Sequence, residues 1–172
     1  METKEKVGVE IERKYVIAMP NIDLLRLQES YTVSEILQIY LPSKLGETHR
    51  IRRRAYEGKT VCTETRKIRL DKMSSTEIER EINLFEFENL AKEPLFGTKP
   101  ISKLRHTFIY EGQLFEIDVY PNWSKTAIME TELDSREREV KIPSFINIIR
   151  EVTGDKSYSN ASMSRRFPEE LI

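Results

Sequence analysis

The sequence is poor in several residue types, and each shortage excludes a class of protein. It has one cysteine, Cys62, so no disulfide can form within the chain. It has two histidines, His49 and His106, and neither stands at a metal-ligand spacing from another ligand, so we interpret both as structural. No apolar run approaches the roughly 20 residues of a membrane-spanning helix. Residues 1–7 are charged and lack the apolar stretch of a signal peptide, so we expect a cytoplasmic protein without a membrane partner.

Net charge of one sign is also missing. Lys and Arg total 28 and Asp and Glu total 29, so composition alone provides no attraction for a polyanion such as nucleic acid. We therefore expect no nucleic-acid partner. The 6 glycines and 7 prolines are spread along the 172 residues without a linker, which predicts one domain over residues 1–172.

Three segments have apolar residues at helical spacing. The first covers 21–29, with Asn21 as its N-cap, and the second covers 83–92. The third begins after Pro143 and ends at Gly154. The sequence predicts helices in all three.

Between these segments the pattern alternates with a period of two, which predicts strands. Six such segments carry formal charges at nearly every polar position of one face. The charged positions are Glu10, Glu12 and Lys14; Arg50, Arg52 and Arg54; Glu77, Glu79 and Glu81; Lys103 and Arg105; Glu116 and Asp118; and Glu130 and Glu132.

One such face is typical of a half-buried strand in water, but six favour an enclosed ionic space. We expect one antiparallel sheet curled until its charged faces meet, with its apolar faces covered by the helices. Arginine and lysine suit a phosphate chain, whereas carboxylates would repel it unless divalent cations lie between them. The mixture predicts a metal-assisted phosphate site with Mg²⁺ or Mn²⁺.

Short motifs follow one another along most of the chain. The first is Glu10-Ile11-Glu12-Arg13-Lys14, of the form ExExK. The others are QIYL at 38–41, RIR at 50–52, EREI at 79–82, KLR at 103–105, EID at 116–118, ETEL at 130–133 and EVTGDKSYSN at 151–160. Together and in this order they resemble the CYTH superfamily, also called the triphosphate tunnel metalloenzymes.

The resemblance implies an α+β, mainly β fold: a closed eight-stranded antiparallel barrel with helices packed outside. It also implies a small-molecule partner, a linear triphosphate, held with one or two divalent cations. Members of this superfamily hydrolyse inorganic triphosphate, thiamine triphosphate or nucleoside triphosphates, and some cyclise ATP to cyclic AMP.

The same resemblance implies roles for single residues. A metal would be held by Glu10, Glu12 and Glu130, and a second metal and the attacking water by Glu132 with Glu81. Glu10, Glu12, Lys14 and Glu132 form the predicted catalytic set. The phosphates would be gripped by Lys14, Arg50, Arg52, Lys103, Arg105 and Lys156. Glu79, Glu116 and Asp118 would orient neighbouring side chains.

One lysine of the family has two candidates in this chain. Many members carry a lysine on the strand after RxR, where this sequence has Arg66 and Lys67. The two point to opposite faces of a strand, so only one can face the phosphates. The sequence favours Lys67 slightly.

The leading hypothesis is a metal-dependent triphosphatase that splits inorganic tripolyphosphate into pyrophosphate and phosphate. The alternatives are a class IV type adenylate cyclase, a thiamine or nucleoside triphosphatase, and a polyphosphate-binding module without turnover. A homodimer is also possible on the sequence alone.

Overall fold

The structure is a computed structural model that describes residues 4–171. Strands dominate it, and its α-helices are short. The strands are β1 (Lys6–Ala18), β2 (Glu29–Leu41), β3 (Glu47–Tyr56), β4 (Lys59–Arg69), β5 (Ser74–Ile82), β6 (Ile101–Tyr110), β7 (Gln113–Val119), β8 (Thr126–Glu132) and β9 (Ile148–Glu151). The helices are α1 (Ile22–Arg26), α2 (Leu84–Leu90) and α3 (Asn160–Met163), with a 3-10 turn at Lys156–Tyr158.

Eight of the strands close into an antiparallel barrel. Their order is β5-β4-β3-β2-β6-β7-β8-β1, and a further pairing of β5 with β1 joins the two ends. Closure leaves β1 to β8 without a free sheet edge along the paired residues, so their backbone groups bond within the wall. The predicted mainly β fold with a closed eight-stranded barrel is confirmed, and β9 is an additional strand.

The first strand closes the barrel by pairing with three others. Along one edge, its residues 12–18 pair with β8. Along the other edge, Lys6 to Ile11 pair with β5, and Tyr15 to Ile17 pair with β9. The register places Glu12 opposite Glu132 and Lys14 opposite Glu130, so motifs more than a hundred residues apart in sequence become neighbours.

The outward faces of the barrel are apolar and are covered by helices and loops, as the alternation predicted. Leu25 of α1 packs with Phe108 and Phe115 on the outside of β6 and β7. Phe87 of α2 packs against Ile51 of β3 in a second cluster. The side chains of Asn21 and Asn83 cap the two helices by accepting hydrogen bonds from backbone amides, which confirms both predicted starts.

The third predicted helix is wrong. Residues 148–151 form β9, and only a turn with a hydrogen bond from the Ile146 amide to the Pro143 carbonyl lies before it. The physical reason is the edge of β1, which β5 leaves without a partner after Ile11. Pairing with β9 satisfies the backbone groups of that edge, and the β-branched Ile148 and Ile149 fit a strand better than a helix.

The tail packs over one end of the barrel. Tyr158 and Met163 join Val16, Tyr120 and Trp123 in a third apolar cluster. This cluster orients the 3-10 turn and α3, so that Lys156 and residues 159–162 face the interior. Over residues 4–171, the helices are all too short or too polar to cross a bilayer.

Candidate active site

The inward faces of the strands enclose a cavity of about 820 Å³. Charged side chains dominate its wall. The cations are Lys14, Arg50, Arg52, Arg54, Lys67, Arg69, Arg105 and Lys156, and the carboxylates are Glu10, Glu12, Glu47, Asp71, Glu77, Glu79, Glu116, Glu130 and Glu132. The structure thus brings most of the predicted site residues into one enclosed space.

Strand β3 forms a cationic wall, defined by the inward side chains of Arg50, Arg52 and Arg54. Arg52 Nε donates to the amide oxygen of Gln38 at 3.1 Å, and Arg54 Nε donates to Ser34 Oγ at 2.8 Å. Arg50 Nε is buried without a hydrogen-bond partner among the described residues. None of the three forms an ion pair with a carboxylate of residues 4–171 at 4.0 Å or less, so no direct ion pair neutralises this wall. Burial opposes the charge of Arg50, but Tyr40, Glu77 and Glu79 outweigh it and raise the pKa of Arg50.

The pKa of Arg52 reports the positive charge around it. Burial, followed by the positive charges of Arg50 and Arg105, lowers the pKa of Arg52 to about 9. The guanidinium still carries its proton at neutral pH. An anion between these arginines would supply the direct ion pairs that the described residues do not provide.

Strands β1 and β8 form an acidic wall, defined by Glu10, Glu12, Glu130 and Glu132. Burial raises the pKa of Glu12, and the neighbouring charge of Glu130 adds to the effect. Burial also raises the pKa of Glu132 to about 7, together with the carboxylates of Glu10, Glu116 and Glu12. Negative charge is therefore concentrated on this wall beyond what the local cations neutralise.

Two carboxylates of the acidic wall do have lysine partners. Lys14 Nζ lies 3.1 Å from Glu130 Oε1, and Lys67 Nζ lies 2.8 Å from Glu10 Oε2. Burial opposes ionisation of Glu130, but the Lys14 and Arg105 cations lower its pKa to about 2. Burial also opposes ionisation of Glu10, but Lys67 lowers its pKa.

The open choice between Arg66 and Lys67 is resolved by these contacts. Lys67 faces the cavity and also lies 3.8 Å from Glu77. Arg66 points outward, where its Nη1 lies 2.9 Å from Glu47 Oε1.

Lys103 does not line the cavity, and its predicted role in gripping phosphate stays a prediction. Its ammonium is fully buried, 2.7 Å from Asp118 Oδ2 and 3.4 Å from Asn160 Oδ1. The Asp118 carboxylate also accepts two hydrogen bonds from Arg105, at 2.7 and 2.8 Å. Alternation identified the inward face correctly, but Asp118 holds Lys103 away from the cavity surface.

The Asp118 carboxylate contacts two cations, Lys103 and Arg105, and their pKa values are shifted in opposite directions. Arg105 keeps its charge, with a pKa well above its usual range: burial opposes the charge, but Asp118 outweighs it. Burial lowers the pKa of Lys103 to about 7. Asp118 acts in the opposite direction, but the positive charges of Arg105 and Arg52 cancel part of its effect. Lys103 is therefore the weaker of the two cations.

Glu81 is a second exception. It shares the face of Glu77 and Glu79 by alternation, but it is exposed and lies outside the cavity lining. Its position does not support the expected metal-binding role. Glu79 does line the cavity and accepts a hydrogen bond of 2.9 Å from Thr65 Oγ1. Glu116 lines it as well and forms an ion pair with Arg105.

Some wall residues were missing from the predicted site. Arg54 and Glu77 belong to charge ladders in the sequence, and alternation alone could have added both. Arg69 lies at the end of β4, where its guanidinium donates to the backbone carbonyls of Asp71 at 3.0 Å and Gly154 at 2.8 Å. No sequence pattern marks that contact.

The carboxylates of the acidic wall fit a hard divalent cation in their chemistry. Within residues 4–171, however, no three acidic, histidine or cysteine side chains stand close enough together to form a complete metal site. Mg²⁺ commonly takes only one or two carboxylates and completes its shell with substrate phosphates and water. One or two of the carboxylates of the acidic wall would suffice for that mode of binding.

Solved structures of other proteins resemble this chain along most of its length. The crystal structure of the inorganic triphosphatase NE1496 aligns with a TM-score of 0.60 and 26% identity, covering 92% of this chain and 96% of that one. PH1819 from Pyrococcus horikoshii OT3 aligns with a TM-score of 0.57 and 20% identity, covering 74% and 80%. A proposed adenylate cyclase from Bacillus halodurans aligns with 0.51 and 17%, covering 76% and 83%.

The last two likenesses are similarities of fold. No protein-family model matches the sequence, and no curated protein sequence matches it significantly. The resemblance inferred from the motifs is nevertheless confirmed by the structural neighbours.

Proposed function

The chain has the triphosphate tunnel fold of the CYTH superfamily, and on that premise we propose that it is a metal-dependent triphosphatase. Its substrate is inorganic tripolyphosphate, which it splits into pyrophosphate and phosphate inside the barrel. The name of the neighbour NE1496, an inorganic triphosphatase that is 26% identical, supports this choice.

The observation that carries the proposal is the unpaired cationic wall. Arg50 and Arg52 lie side by side on β3, and no carboxylate of the described residues forms an ion pair with either. Burying such charges is costly unless a partner binds, and guanidinium groups hold phosphate oxygens in bidentate geometry. A linear polyphosphate provides several adjacent anionic groups for these arginines.

The acidic wall stands on the other side of the cavity, since β3 and β8 are four positions apart in the ring of eight strands. We assign the predicted cation, Mg²⁺ or Mn²⁺, to Glu10, Glu12, Glu130 and Glu132. When bound, such an ion polarises phosphate oxygens and lowers the pKa of a coordinated water. In this proposal Glu132, which lines the cavity, orients the attacking water.

The remaining cations position the phosphate chain. Lys14 is held by Glu130 and by the Tyr158 carbonyl, which accepts from Lys14 Nζ at 3.4 Å. Arg105 is fixed by Asp118, and Lys156 approaches from the tail. Phosphoryl transfer depends mainly on positioning and on stabilising charge, so no nucleophilic side chain is needed.

The composition of the wall favours an inorganic substrate over a nucleotide. Tyr40 is the one aromatic residue among the lining residues of the described chain, and it is 5% exposed. Its hydroxyl accepts a hydrogen bond from the Gln38 amide at 2.9 Å, which ties the ring into the wall. A nucleobase would find no free ring to stack on. Adenylate cyclase remains the second candidate, because the Bacillus halodurans protein shares the fold.

The test is to incubate the purified protein with tripolyphosphate, ATP or thiamine triphosphate, each with Mg²⁺ or Mn²⁺. Phosphate, pyrophosphate and cyclic AMP are then quantified. We expect equal amounts of phosphate and pyrophosphate from tripolyphosphate, and loss of both when the metal is chelated. Cyclic AMP and pyrophosphate from ATP would establish a cyclase instead. Metal-dependent binding without turnover would establish a binding module.

A further inference from the structure

The barrel wall has a seam where β1 changes its partner. Pairing with β5 ends at Ile11 and pairing with β9 begins at Tyr15, so 12–14 have no strand beside them on that edge. Glu12 and Lys14, two residues of the proposed active site, lie in this seam. Their backbone must be held by other contacts, because an unpaired strand edge is free to shift.

Two of these contacts are backbone hydrogen bonds. The Glu12 amide donates to the Met73 carbonyl at 2.9 Å, and the Val152 amide donates to the Lys14 carbonyl at 2.8 Å. The Lys14 amide, in contrast, donates to a side chain, Thr153 Oγ1, at 3.0 Å.

Thr153 is itself fixed from outside the barrel. Its hydroxyl donates to Glu151 Oε1 at 2.9 Å. The same carboxylate accepts from Arg13 Nε at 2.9 Å and from Arg13 Nη2 at 2.8 Å. Arg13 precedes Lys14 in the chain and points outward, so one neighbour is bonded to Glu151 and the other to Thr153, and these two tail residues are bonded to each other.

We propose that Thr153 is a positioning residue for Lys14. It lines a small space of about 80 Å³ beside the seam and does not line the main cavity. By bonding the Lys14 amide, Thr153 fixes the backbone position of Lys14 in β1. This position determines whether the buried Lys14 ammonium can contact Glu130. The kinetic consequence rests on the proposed triphosphatase function, whereas the hydrogen bond itself does not.

The matched variants are Thr153→Val, which keeps the shape but removes the hydroxyl, and Thr153→Ser, which keeps the hydroxyl. The first measurement is hydrogen exchange of the Lys14 amide by NMR, with the other β1 amides as reference. We expect exchange of this amide about tenfold faster in Thr153→Val and close to wild type in Thr153→Ser. Unchanged exchange in Thr153→Val would overturn the proposal.

The second measurement is kcat/KM for tripolyphosphate. We expect a loss of about fivefold to tenfold in Thr153→Val, rescued in Thr153→Ser. Faster exchange with unchanged kcat/KM would overturn the positioning role. If the wild type does not turn over tripolyphosphate, the proposed function fails first, and calorimetric affinity for tripolyphosphate replaces kcat/KM. Equal affinity in both variants would then overturn the proposal.

A third variant covers the case in which Thr153→Val does not fold. Glu151→Gln leaves Thr153 in place. It weakens the charge-assisted hydrogen bonds by which Arg13 fixes the side chain of residue 151, and this side chain in turn fixes the Thr153 hydroxyl. We expect the same direction of change in Lys14 exchange and in kcat/KM, at about two- to threefold. Wild-type values for both quantities in this variant would overturn the proposal.

Discussion

The two walls of the cavity are built from the same alternation but are left unbalanced in opposite senses. On β3, Arg50 and Arg52 face inward without forming an ion pair with a carboxylate, and burial, together with the positive charges of Arg50 and Arg105, lowers the pKa of Arg52 to about 9. On β1 and β8, Glu12 and Glu132 face each other across the strands, and burial, together with neighbouring negative charge, raises the pKa of Glu132 to about 7.

The difference teaches how one cavity can bind two ligands of opposite charge. If the walls neutralised each other directly, neither an anion nor a cation would gain by entering. Because the two walls lie apart in the barrel, the cationic wall keeps positive charge for an anion and the acidic wall keeps negative charge for a cation. This arrangement costs folding free energy, because buried like charges repel and buried ions lose hydration.

The largest expected effect comes from the acidic wall. Glu12→Gln should lower metal-dependent hydrolysis of tripolyphosphate by about 10²-fold or more, because an amide is a weaker metal ligand and carries no charge. Phosphate release at saturating Mg²⁺ measures this. The matched control is Glu81→Gln, which changes the same residue type outside the cavity and should retain wild-type activity. Equal losses in both variants would contradict the assignment of the acidic wall.

The cationic wall should affect affinity more than turnover. Arg50→Met should weaken tripolyphosphate binding without metal by about 10-fold to 100-fold, because charge-assisted hydrogen bonds are lost. Calorimetry measures the Kd. Arg53→Met is the control on the opposite face of β3, where the guanidinium lies 5.7 Å from the Phe87 ring.

Arg50→Met should also lower the unfolding midpoint of the ligand-free protein slightly, because Tyr40, Glu77 and Glu79 outweigh the cost of burial and raise the pKa of Arg50. A lower midpoint together with unchanged affinity would show that Arg50 stabilises the barrel rather than binding an anion.

A measurement of stability extends the comparison to Lys103, beneath the cavity surface. Lys103 has a pKa of about 7 in the folded protein, against about 10.4 in an unfolded chain. Between these values the unfolded state binds more protons, so the stability of the wild type should rise with pH. Relative to Lys103→Met, the free energy of unfolding should increase by up to about 1.4 kcal/mol per pH unit above pH 7. Urea unfolding measured across this range provides the values, and a flat difference would contradict the buried lysine titration.

Much of the fold follows from the sequence because its signals are local. Alternation separates the two faces of each strand, and the family that the ordered motifs resemble implies the closed eight-stranded barrel. The same alternation placed Arg50 and Glu12 on the side of the cavity, whereas the choice between Arg66 and Lys67 needed the structure. The homodimer, the cytoplasmic location and the absence of a nucleic-acid partner stay predictions.

The sequence does not predict how deeply a charged side chain is buried or which strand a segment pairs with. Lys103 and Glu81 lie on the expected faces, but one lies behind Asp118 and the other at an exposed strand end. The segment 148–151 has helical spacing and still forms a strand, because the free edge of β1 outweighs that preference. These outcomes depend on contacts between residues distant in sequence, which periodicity does not describe.

The triple pairing of β1 has a consequence for the order of folding. Its partners β5, β8 and β9 lie far along the chain, so β1 can complete its pairing only after more than a hundred further residues have been synthesised. Closing loops of that length is slow, and β1 is the strand that closes the ring. Glu10, Glu12 and Lys14 therefore join the other wall residues only as the barrel closes, and a partly folded chain lacks a working site.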